Sequence, residues 1–280
     1  MQSQTNTQPL QSLVDVRTHF QLRAVPFTRE LPIEQRWRHP VADQALAELR
    51  ATVEQRMSGA LIAPAGTGKT VVARGLVDLL PQARYRVHYI KVTDLSKRDF
   101  CREVATAIGA RPAGHYGSLV AAIQSRCTIL LEQDSLRPVI IVDEAHEIRP
   151  DVLAVLRALT NFEMDSCLVV SIILIGQPAL RDLLKQQELE AVSRRLAHFA
   201  SLRLLTRDEI RSYVEHRLKI VGAANTLFDQ HAHDALFEAS QGNLRAVDRL
   251  ALKSLQEAAT EGAPVVGAEH VFAARQKVWP

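Results

Sequence analysis

The sequence predicts an α/β fold with a doubly wound, five-stranded parallel sheet, followed by a small helical domain. Short apolar runs alternate with amphipathic segments through the middle of the chain, and the strand pattern stops after residue 205. Strands that are apolar on both faces and separated by helices are typical of a parallel sheet covered on both sides. The predicted strands are 60–63, 87–92, 139–142, 168–175 and 202–205.

Apolar residues at helical spacing predict helices in the segments around these strands. The sequence therefore predicts three parts: a flexible N-terminal segment over residues 1–18, an α/β domain over 19–205 and a helical domain over 206–280. The predicted helices cover 40–57, 70–80, 97–108, 118–133, 150–160, 180–196, 207–221, 231–240 and 244–260.

The composition is that of an ordinary globular protein. Of the 280 residues, 47% are hydrophobic and 23% are charged, which is enough for a packed core. A net charge of +3 permits a nucleic-acid partner without indicating one. The three cysteines are too few and too scattered for a disulfide framework, and no signal peptide or stretch of about 20 apolar residues is visible. We therefore expect a cytoplasmic protein that does not cross a membrane.

A Gly-rich segment after the first predicted strand has the pattern of a P-loop, Ala-Pro-Ala-Gly-Thr-Gly-Lys-Thr over residues 63–70. Backbone N–H groups and the following helix N-terminus would surround the phosphates of ATP. Lys69 would reach the β- and γ-phosphates, and the Thr70 hydroxyl would ligate Mg²⁺. Ala63 replaces the usual first Gly, which the loop tolerates if φ is negative there. The predicted phosphate-binding residues are Ala65, Gly66, Thr67, Gly68, Lys69 and Thr70.

Two carboxylates follow the third predicted strand, where open parallel sheets place their ligands. We expect Asp143 to hold Mg²⁺, directly or through water, and Glu144 to act as general base toward the attacking water. Residues 143–146 also spell the Asp-Glu-Ala-His box of one helicase class. Those helicases carry two RecA-like domains, for which 280 residues with a helical tail leave no room.

Polar residues farther along the chain have two interpretations each. Gln177 either senses the γ-phosphate or aligns water, or is a turn residue. Arg194 or Arg195 either reaches the nucleotide of a neighbouring subunit, or both belong to a solvated basic face. Arg245 either folds back on the phosphates and couples nucleotide state to domain closure, or lies on the surface.

Two further groups of residues also keep two interpretations. Pro26 and Phe27 either wall the adenine pocket or pack in the core. A set of basic and aromatic residues near the second strand either tracks a DNA backbone or forms a solvated helix face. That set is Lys91, Lys97, Arg98, Arg102, Arg111 and Tyr116. No helix-turn-helix or zinc module is visible, so we expect little base-specific readout.

Taken together, these motifs resemble the ExeA-type AAA+ ATPases over about residues 18–275. The group includes the ATPase module of a general secretion protein and transposition regulators similar to TnsC, TniB and IstB. The P-loop and acidic pair mark only the superfamily, whereas the other segments are more specific. The resemblance rests on Phe20, Pro26-Phe27, the P-loop, residues 143–146, Leu-Ile-Gly-Gln-Pro-Ala-Leu at 174–180, Arg194-Arg195-Leu196 and Gly242-Asn243-Leu244-Arg245.

The resemblance implies an AAA+ P-loop NTPase core with a helical lid. It also implies nucleotides held between subunits of a homo-oligomer that assembles with ATP as a ring or helical filament. In these relatives Gln177 would match the sensor-1 position, Arg194 or Arg195 the arginine finger, and Arg245 sensor 2.

Two functions within the group compete. The secretion ATPase continues into a membrane segment and a peptidoglycan-binding domain, whereas this sequence stops at Pro280. We therefore expect a transposition regulator that assembles on target duplex DNA, recruits the transposase and is cleared after hydrolysis. The alternative is a cytosolic ATPase of a secretion or envelope-assembly system that acts on protein partners without DNA. A helicase loader or initiator ATPase is a third reading.

Overall fold

The computed structural model describes residues 15–91 and 95–278, which form two compact units. One unit is the α/β part, Arg38–Arg203, and the described part of the other covers residues 15–37 and 204–278. In chain order the elements are α1 (Val16–Phe20), α2 (Pro40–Glu54), β1 (Ser58–Ile62), α3 (Lys69–Leu79), β2 (Tyr85–Lys91), α4 (Lys97–Ile108), α5 (Tyr116–Glu132), β3 (Arg137–Asp143), α6 (Pro150–Leu153), α7 (Val155–Leu159), β4 (Ser171–Gly176), α8 (Ala179–Leu184), α9 (Glu190–Ser193), β5 (Leu196–Ser201), α10 (Arg207–Ile220), α11 (Gln230–Ser240), α12 (Leu244–Glu261) and α13 (Ala268–Val278).

The five strands form one sheet in the order β2-β3-β4-β1-β5, and every pair is parallel. The three inner strands are almost entirely buried, because helices cover both faces of a parallel sheet. The two edge strands instead mix buried and exposed residues. This confirms the predicted doubly wound, five-stranded parallel fold.

Successive residues of each strand point to opposite faces of the sheet and so enter two separate cores. In β3, Ile141 packs with residues of α2 and α3, such as Leu49 and Leu76. Its neighbour Ile140 packs on the other face with residues of α4 and α5, such as Phe100. Fully burying each such side chain stabilises the fold by about 1.5–3 kcal/mol. The same alternation directs Asp143, two residues after Ile141, toward the face that carries α3.

The fifth strand was predicted at the wrong place. The prediction put it at residues 202–205, whereas β5 is Leu196–Ser201 and pairs with β1 from Leu196 to Ser201. An edge strand is only half covered, so β5 includes polar residues such as His198 and lacks the continuous apolar run that marks inner strands. The predicted helix over 180–196 is correspondingly two short helices, α8 and α9. The predicted helix over 150–160 is likewise split, into α6 and α7 at Ala154.

The N-terminal part of the chain also differs from the prediction. Residues 1–14 of the predicted flexible segment lie outside the described residues, but residues 16–18 belong to α1, whose N-terminus is capped by the Asp15 carboxylate. The following segment belongs to the unit of the C-terminal helices, because Phe20, Leu22 and Phe27 share their apolar core. The helical domain was predicted to start at residue 206, and the C-terminal part of this unit starts at Leu204.

A buried polar network joins the N-terminal segment to α10 and α12. The Arg217 guanidinium donates to the Thr28 carbonyl at 2.7 Å and to the Tyr213 hydroxyl at 2.8 Å. Tyr213 in turn donates to Asp248 at 2.7 Å. Burial raises the pKa of Asp248 to about 6, against the lowering effect of Arg217. In the described parts of the chain, no helix is long and apolar enough to cross a bilayer.

His233 of α11 is predicted to make this unit acid-sensitive. Its ring is 3% exposed, and neither ring nitrogen has a hydrogen-bond partner among the described residues. Burial is the main cause that lowers its pKa below 6.5. The folded state therefore favours neutral His233. The contribution of this residue to the free energy of unfolding is present above pH 6.5 and is lost as the pH falls through the folded-state pKa. One proton taken up only on unfolding costs up to about 1.4 kcal/mol per pH unit.

The test is urea unfolding at pH 7.5 and 5.5, followed by tryptophan fluorescence, to which Trp37 contributes through a ring that packs edge-on against Tyr213 in the same unit. We expect His233→Leu to lose less free energy of unfolding than the wild type on acidification, with the difference bounded by about 1.4 kcal/mol per pH unit. His231→Leu on the same helix is the control, since His231 is exposed. Equal acid sensitivity of His233→Leu and wild type would refute the assignment.

Candidate nucleotide-binding site

The phosphate loop connects β1 to α3, as the sequence predicts. Gly66 and Gly68 have φ values of 73° and 97°, a left-handed conformation that favours glycine and folds the loop tightly. Ala63 is not among the residues with positive φ, so the condition for Ala at this position is met. Its N–H donates to the Gly176 carbonyl at 3.0 Å, which holds the start of the loop against β4.

Lys69, the first residue of α3, is buried and points back into the loop. Its ammonium group donates to the carbonyls of Ala63 and Pro64, both at 3.0 Å. The Thr67 hydroxyl also donates to the Pro64 carbonyl, at 2.8 Å. Thr70, the second residue of the helix, is exposed. A buried positive charge and a helix N-terminus thus converge on one small loop, an arrangement suited to a bound phosphate.

The acidic pair lies at the carboxyl end of β3. The Asp143 carboxylate is 6% exposed and accepts the Glu144 N–H at 2.8 Å. Glu144 has φ 54° and ψ 34°, a left-handed conformation that costs a non-glycine residue of order 1–3 kcal/mol. Such strain is characteristic of functional sites, because the surrounding structure must hold it in place. The turn directs the two carboxylates differently, although they are adjacent in sequence.

His146 lies between two carboxylates in the turn after β3. Its ring nitrogens are 3.5 Å from a Glu144 oxygen and 3.1 Å from a Glu147 oxygen. The His146 side chain is 7% exposed, while that of Glu147 is 59% exposed. The sequence interpretation used His146 in a helicase box and in the family resemblance, and did not predict its place beside Glu144.

The sheet register brings the predicted residues of three strands to one edge. Ile62 at the end of β1 pairs with Gly176 at the end of β4, and Val142 of β3 pairs with Leu174. The loop after β1, the acidic pair and Gln177 therefore lie at neighbouring strand ends. A Cβ at Gly176 would meet the Leu180 side chain at 2.9 Å, so a larger residue where β4 passes into α8 would require Leu180 to shift.

Tyr89 is a member of the site that the sequence did not reveal. Its hydroxyl donates to the second oxygen of Asp143 at 2.5 Å. Burial and this hydrogen bond raise the pKa of Tyr89. No motif marks the residue, because the contact depends on the register of β2 with β3, which pairs Lys91 with Asp143.

The two candidate arginine fingers lie together at the end of α9, beside an open depression. Arg194 is strongly exposed and donates to Glu190 at 2.5 Å, whereas Arg195 donates to the Ala191 carbonyl at 3.0 Å. Arg157 of α7, which the sequence interpretation did not single out, lines the same depression. Both arginines remain candidates for a contact with a neighbouring subunit.

Pro26, Phe27 and Arg245 belong to the helical unit, and their predicted contacts with nucleotide remain predictions. Phe27 is 5% exposed, and the Arg217 guanidinium lies 5.6 Å from its ring centroid. Pro26 is also buried. The packing of Phe27 is that of a core residue, the alternative interpretation. Arg245 is exposed in the first turn of α12, which Asn243 caps by accepting the Ala246 N–H at 3.2 Å.

The predicted DNA-contacting residues lie mostly around the start of α4. Arg98 donates to the Gly114 carbonyl at 3.2 Å, which holds α4 against the loop that carries Arg111 and leads to Tyr116. Lys97 lies 3.8 Å from Asp151, and Arg102 lies 2.8 Å from Asp99. Lys91 is exposed at the end of β2. Within residues 15–91 and 95–278, two of the six thus have carboxylate partners.

Comparison with known proteins agrees with this geometry. Residues 51–184 match the family model described as "AAA domain". The chain is 30% identical over 198 residues to the general secretion pathway protein A of Aeromonas hydrophila. This match covers 70% of the chain but only 36% of that relative.

Solved structures share the fold at low sequence identity. Cdc6p from Pyrobaculum aerophilum has a TM-score of 0.73 at 19% identity, with 90% of this chain and 70% of that one covered. The Aeropyrum pernix ORC1 protein in complex with DNA has a TM-score of 0.65 at 20% identity, with 89% and 68% covered. The RuvB branch migration motor of Thermotoga maritima has a TM-score of 0.55 at 18% identity, with 85% and 68% covered. The family model, the sheet and the P-loop between β1 and α3 agree: residues 51–184 form an AAA domain, and the chain has the AAA+ P-loop NTPase fold.

Proposed function

We propose that this ATPase binds ATP with Mg²⁺ and that its ATP cycle controls a homo-oligomer assembled on duplex DNA during transposition. The loop and acidic strand end fit such a ligand, because a buried ammonium and loop N–H groups suit phosphate, and a hydroxyl and a carboxylate are ligands that Mg²⁺ accepts. Thr70 and Asp143 would hold the metal. Bound Mg²⁺ would neutralise charge on the phosphate oxygens.

The roles of Glu144, Lys69 and Gln177 are assigned from their places at the carboxyl edge of the sheet, and those of the three arginines from the family resemblance. Glu144 would orient the attacking water and accept its proton as general base. Lys69 would bind the β- and γ-phosphates, and Gln177 would sense the γ-phosphate. Arg194 or Arg195 would stabilise transition-state charge on the nucleotide of a neighbouring subunit, and Arg245 would couple nucleotide state to the helical domain.

The observation that supports DNA as the partner is the concentration of basic residues around the start of α4. Among the described residues, Arg111 has no carboxylate within ion-pair distance, and Arg98 has only an electrostatic interaction with Asp99, so both can face a phosphate backbone. Two structural relatives are described as bound to DNA, the Aeropyrum pernix ORC1 protein and the Drosophila ORC. Recruitment of a transposase and clearance after hydrolysis rest on the family resemblance alone.

A second function is favoured by the similarity to general secretion pathway protein A. In this alternative the chain is the ATPase module of a secretion or envelope-assembly system, and ATP drives the remodelling of protein partners without DNA. The basic residues around α4 would then be a solvated surface.

Electron microscopy of Glu144→Gln protein with ATP and Mg²⁺, with and without linear duplex DNA, separates the two functions. The variant should retain ATP and accumulate the assembled state. Rings or filaments that enclose or coat DNA, and weaken as salt rises, support the first function. Assemblies that ignore DNA support the second.

The basic residues can be tested individually by the salt dependence of duplex binding. We expect Arg98→Gln and Arg111→Gln each to reduce the slope of log K against log salt by about 1, as loss of one phosphate contact does. Fluorescence anisotropy with a labelled duplex measures this slope. Arg50→Gln is the matched control, since Arg50 is exposed, pairs with Glu54 and lies on α2, which packs on the other side of the sheet. Unchanged slopes in both variants would exclude this surface from DNA binding.

A further inference from the structure

Tyr89 and Asp143 are diagonal neighbours on one face of the sheet. The register pairs Tyr89 with Ile141 and Lys91 with Asp143, and alternate residues of a strand point to the same side. The Tyr89 side chain therefore leans along the sheet toward its carboxyl edge, where its hydroxyl donates to Asp143 Oδ2 at 2.5 Å.

The Asp143 carboxylate has one donor on each oxygen. The Glu144 N–H donates to Oδ1 at 2.8 Å, and the Tyr89 hydroxyl donates to Oδ2. A carboxylate oxygen has two lone pairs, so each donor leaves room for a further ligand. Donors in this position fix the orientation of a metal-binding group, and their loss typically lowers metal affinity 10–100-fold.

The exposure of Tyr89 argues against core packing as its main role. The residue is 48% exposed on an edge strand, while its hydroxyl bond to Asp143 is partly buried. Asp143 itself is only 6% exposed. The backbone donor, Glu144 N–H, is supplied by the strained turn, whereas the Tyr89 hydroxyl is supplied by another strand.

We propose that Tyr89 is a positioning residue for Asp143 and that its hydroxyl determines how tightly the ATPase holds its divalent cation together with nucleotide. The inference rests on the proposed role of Asp143 in Mg²⁺ binding. Tyr89 lies two residues before the end of β2. The orientation of Asp143 in the metal site therefore depends on the position of this strand.

The test is Tyr89→Phe, which removes one oxygen and keeps the ring. Tyr85→Phe is the matched control: it removes the same atom from the same strand, and the Tyr85 hydroxyl is buried without a hydrogen-bond partner among the described residues. Electron paramagnetic resonance of free Mn²⁺ in the presence of ADP gives the half-saturating metal concentration. Fluorescent ADP binding in EDTA and thermal unfolding are measured in parallel.

We expect Tyr89→Phe to raise the half-saturating Mn²⁺ concentration about tenfold or more, with metal-free ADP binding unchanged and Tyr85→Phe equal to wild type. Tyr89→Phe that binds Mn²⁺ like wild type, while Asp143→Asn binds it poorly, would overturn the inference and leave the metal site in place. A normal Mn²⁺ affinity in Asp143→Asn would remove the metal assignment and the inference with it. If Tyr89→Phe weakened ADP binding equally with Mn²⁺ and in EDTA, the role of Tyr89 would be structural, which would also overturn the inference.

Discussion

Glu144→Gln is expected to lower the rate of ATP hydrolysis by about 10²- to 10⁴-fold while ATP binding stays close to wild type. The amide keeps the size of the side chain but cannot accept the proton of the attacking water. Gln, like Glu, is a non-glycine residue that would have to adopt the left-handed conformation of residue 144. The backbone strain of the turn is therefore the same in the variant and in the wild type. Single-turnover hydrolysis and equilibrium ATP binding measure the two effects separately.

Glu147→Gln is the matched control for this experiment. It makes the same chemical change three residues later in the same turn, on a side chain that is 59% exposed and contacts the other nitrogen of His146. We expect its hydrolysis rate to remain within a few-fold of wild type. If Glu144→Gln hydrolysed ATP at the normal rate, Glu144 would not be the base. If both variants lost activity equally, the turn as a whole would be responsible.

Lys69→Met is expected to reduce kcat/KM for ATP by at least about 10²- to 10³-fold, the usual effect of removing one preorganised donor at a site of developing charge. Met has a similar length, so the volume near the loop is kept and only the ammonium is lost. The ammonium is held inside the phosphate loop by the carbonyls of Ala63 and Pro64.

Thermal unfolding with and without ATP tests the same variant without turnover. A ligand at 100 times its Kd stabilises the folded state by about 2.7 kcal/mol, so the wild type should melt at a higher temperature with ATP. Lys69→Met should lose this shift, whereas Lys185→Met, at a side chain that is 69% exposed on the end of α8, should keep it. A full ATP shift in Lys69→Met would show that the nucleotide binds elsewhere.

Much of the α/β unit could be predicted from the sequence, because inner parallel strands carry continuous apolar runs and P-loop chemistry needs particular residues at fixed spacing. The position of β5 could not, since an edge strand is buried on one side only and has a weaker pattern. The segment containing Phe20 and Phe27 looked like part of the first domain because it precedes it in sequence. Its place with α10–α13 is decided by apolar contacts between distant parts of the chain.

The sequence by itself determined the sheet class, the loop over residues 63–70, and Asp143 and Glu144 as the acidic pair. These features depend on residue types at positions close together in the sequence, so a single sequence is enough to recognise them. Only the tertiary structure showed that Tyr89 donates to Asp143, that His146 lies against Glu144, and that Arg157 lines the same depression as Arg194 and Arg195. Contacts of this kind depend on strand register and helix packing between residues far apart in the chain, and no local pattern records them.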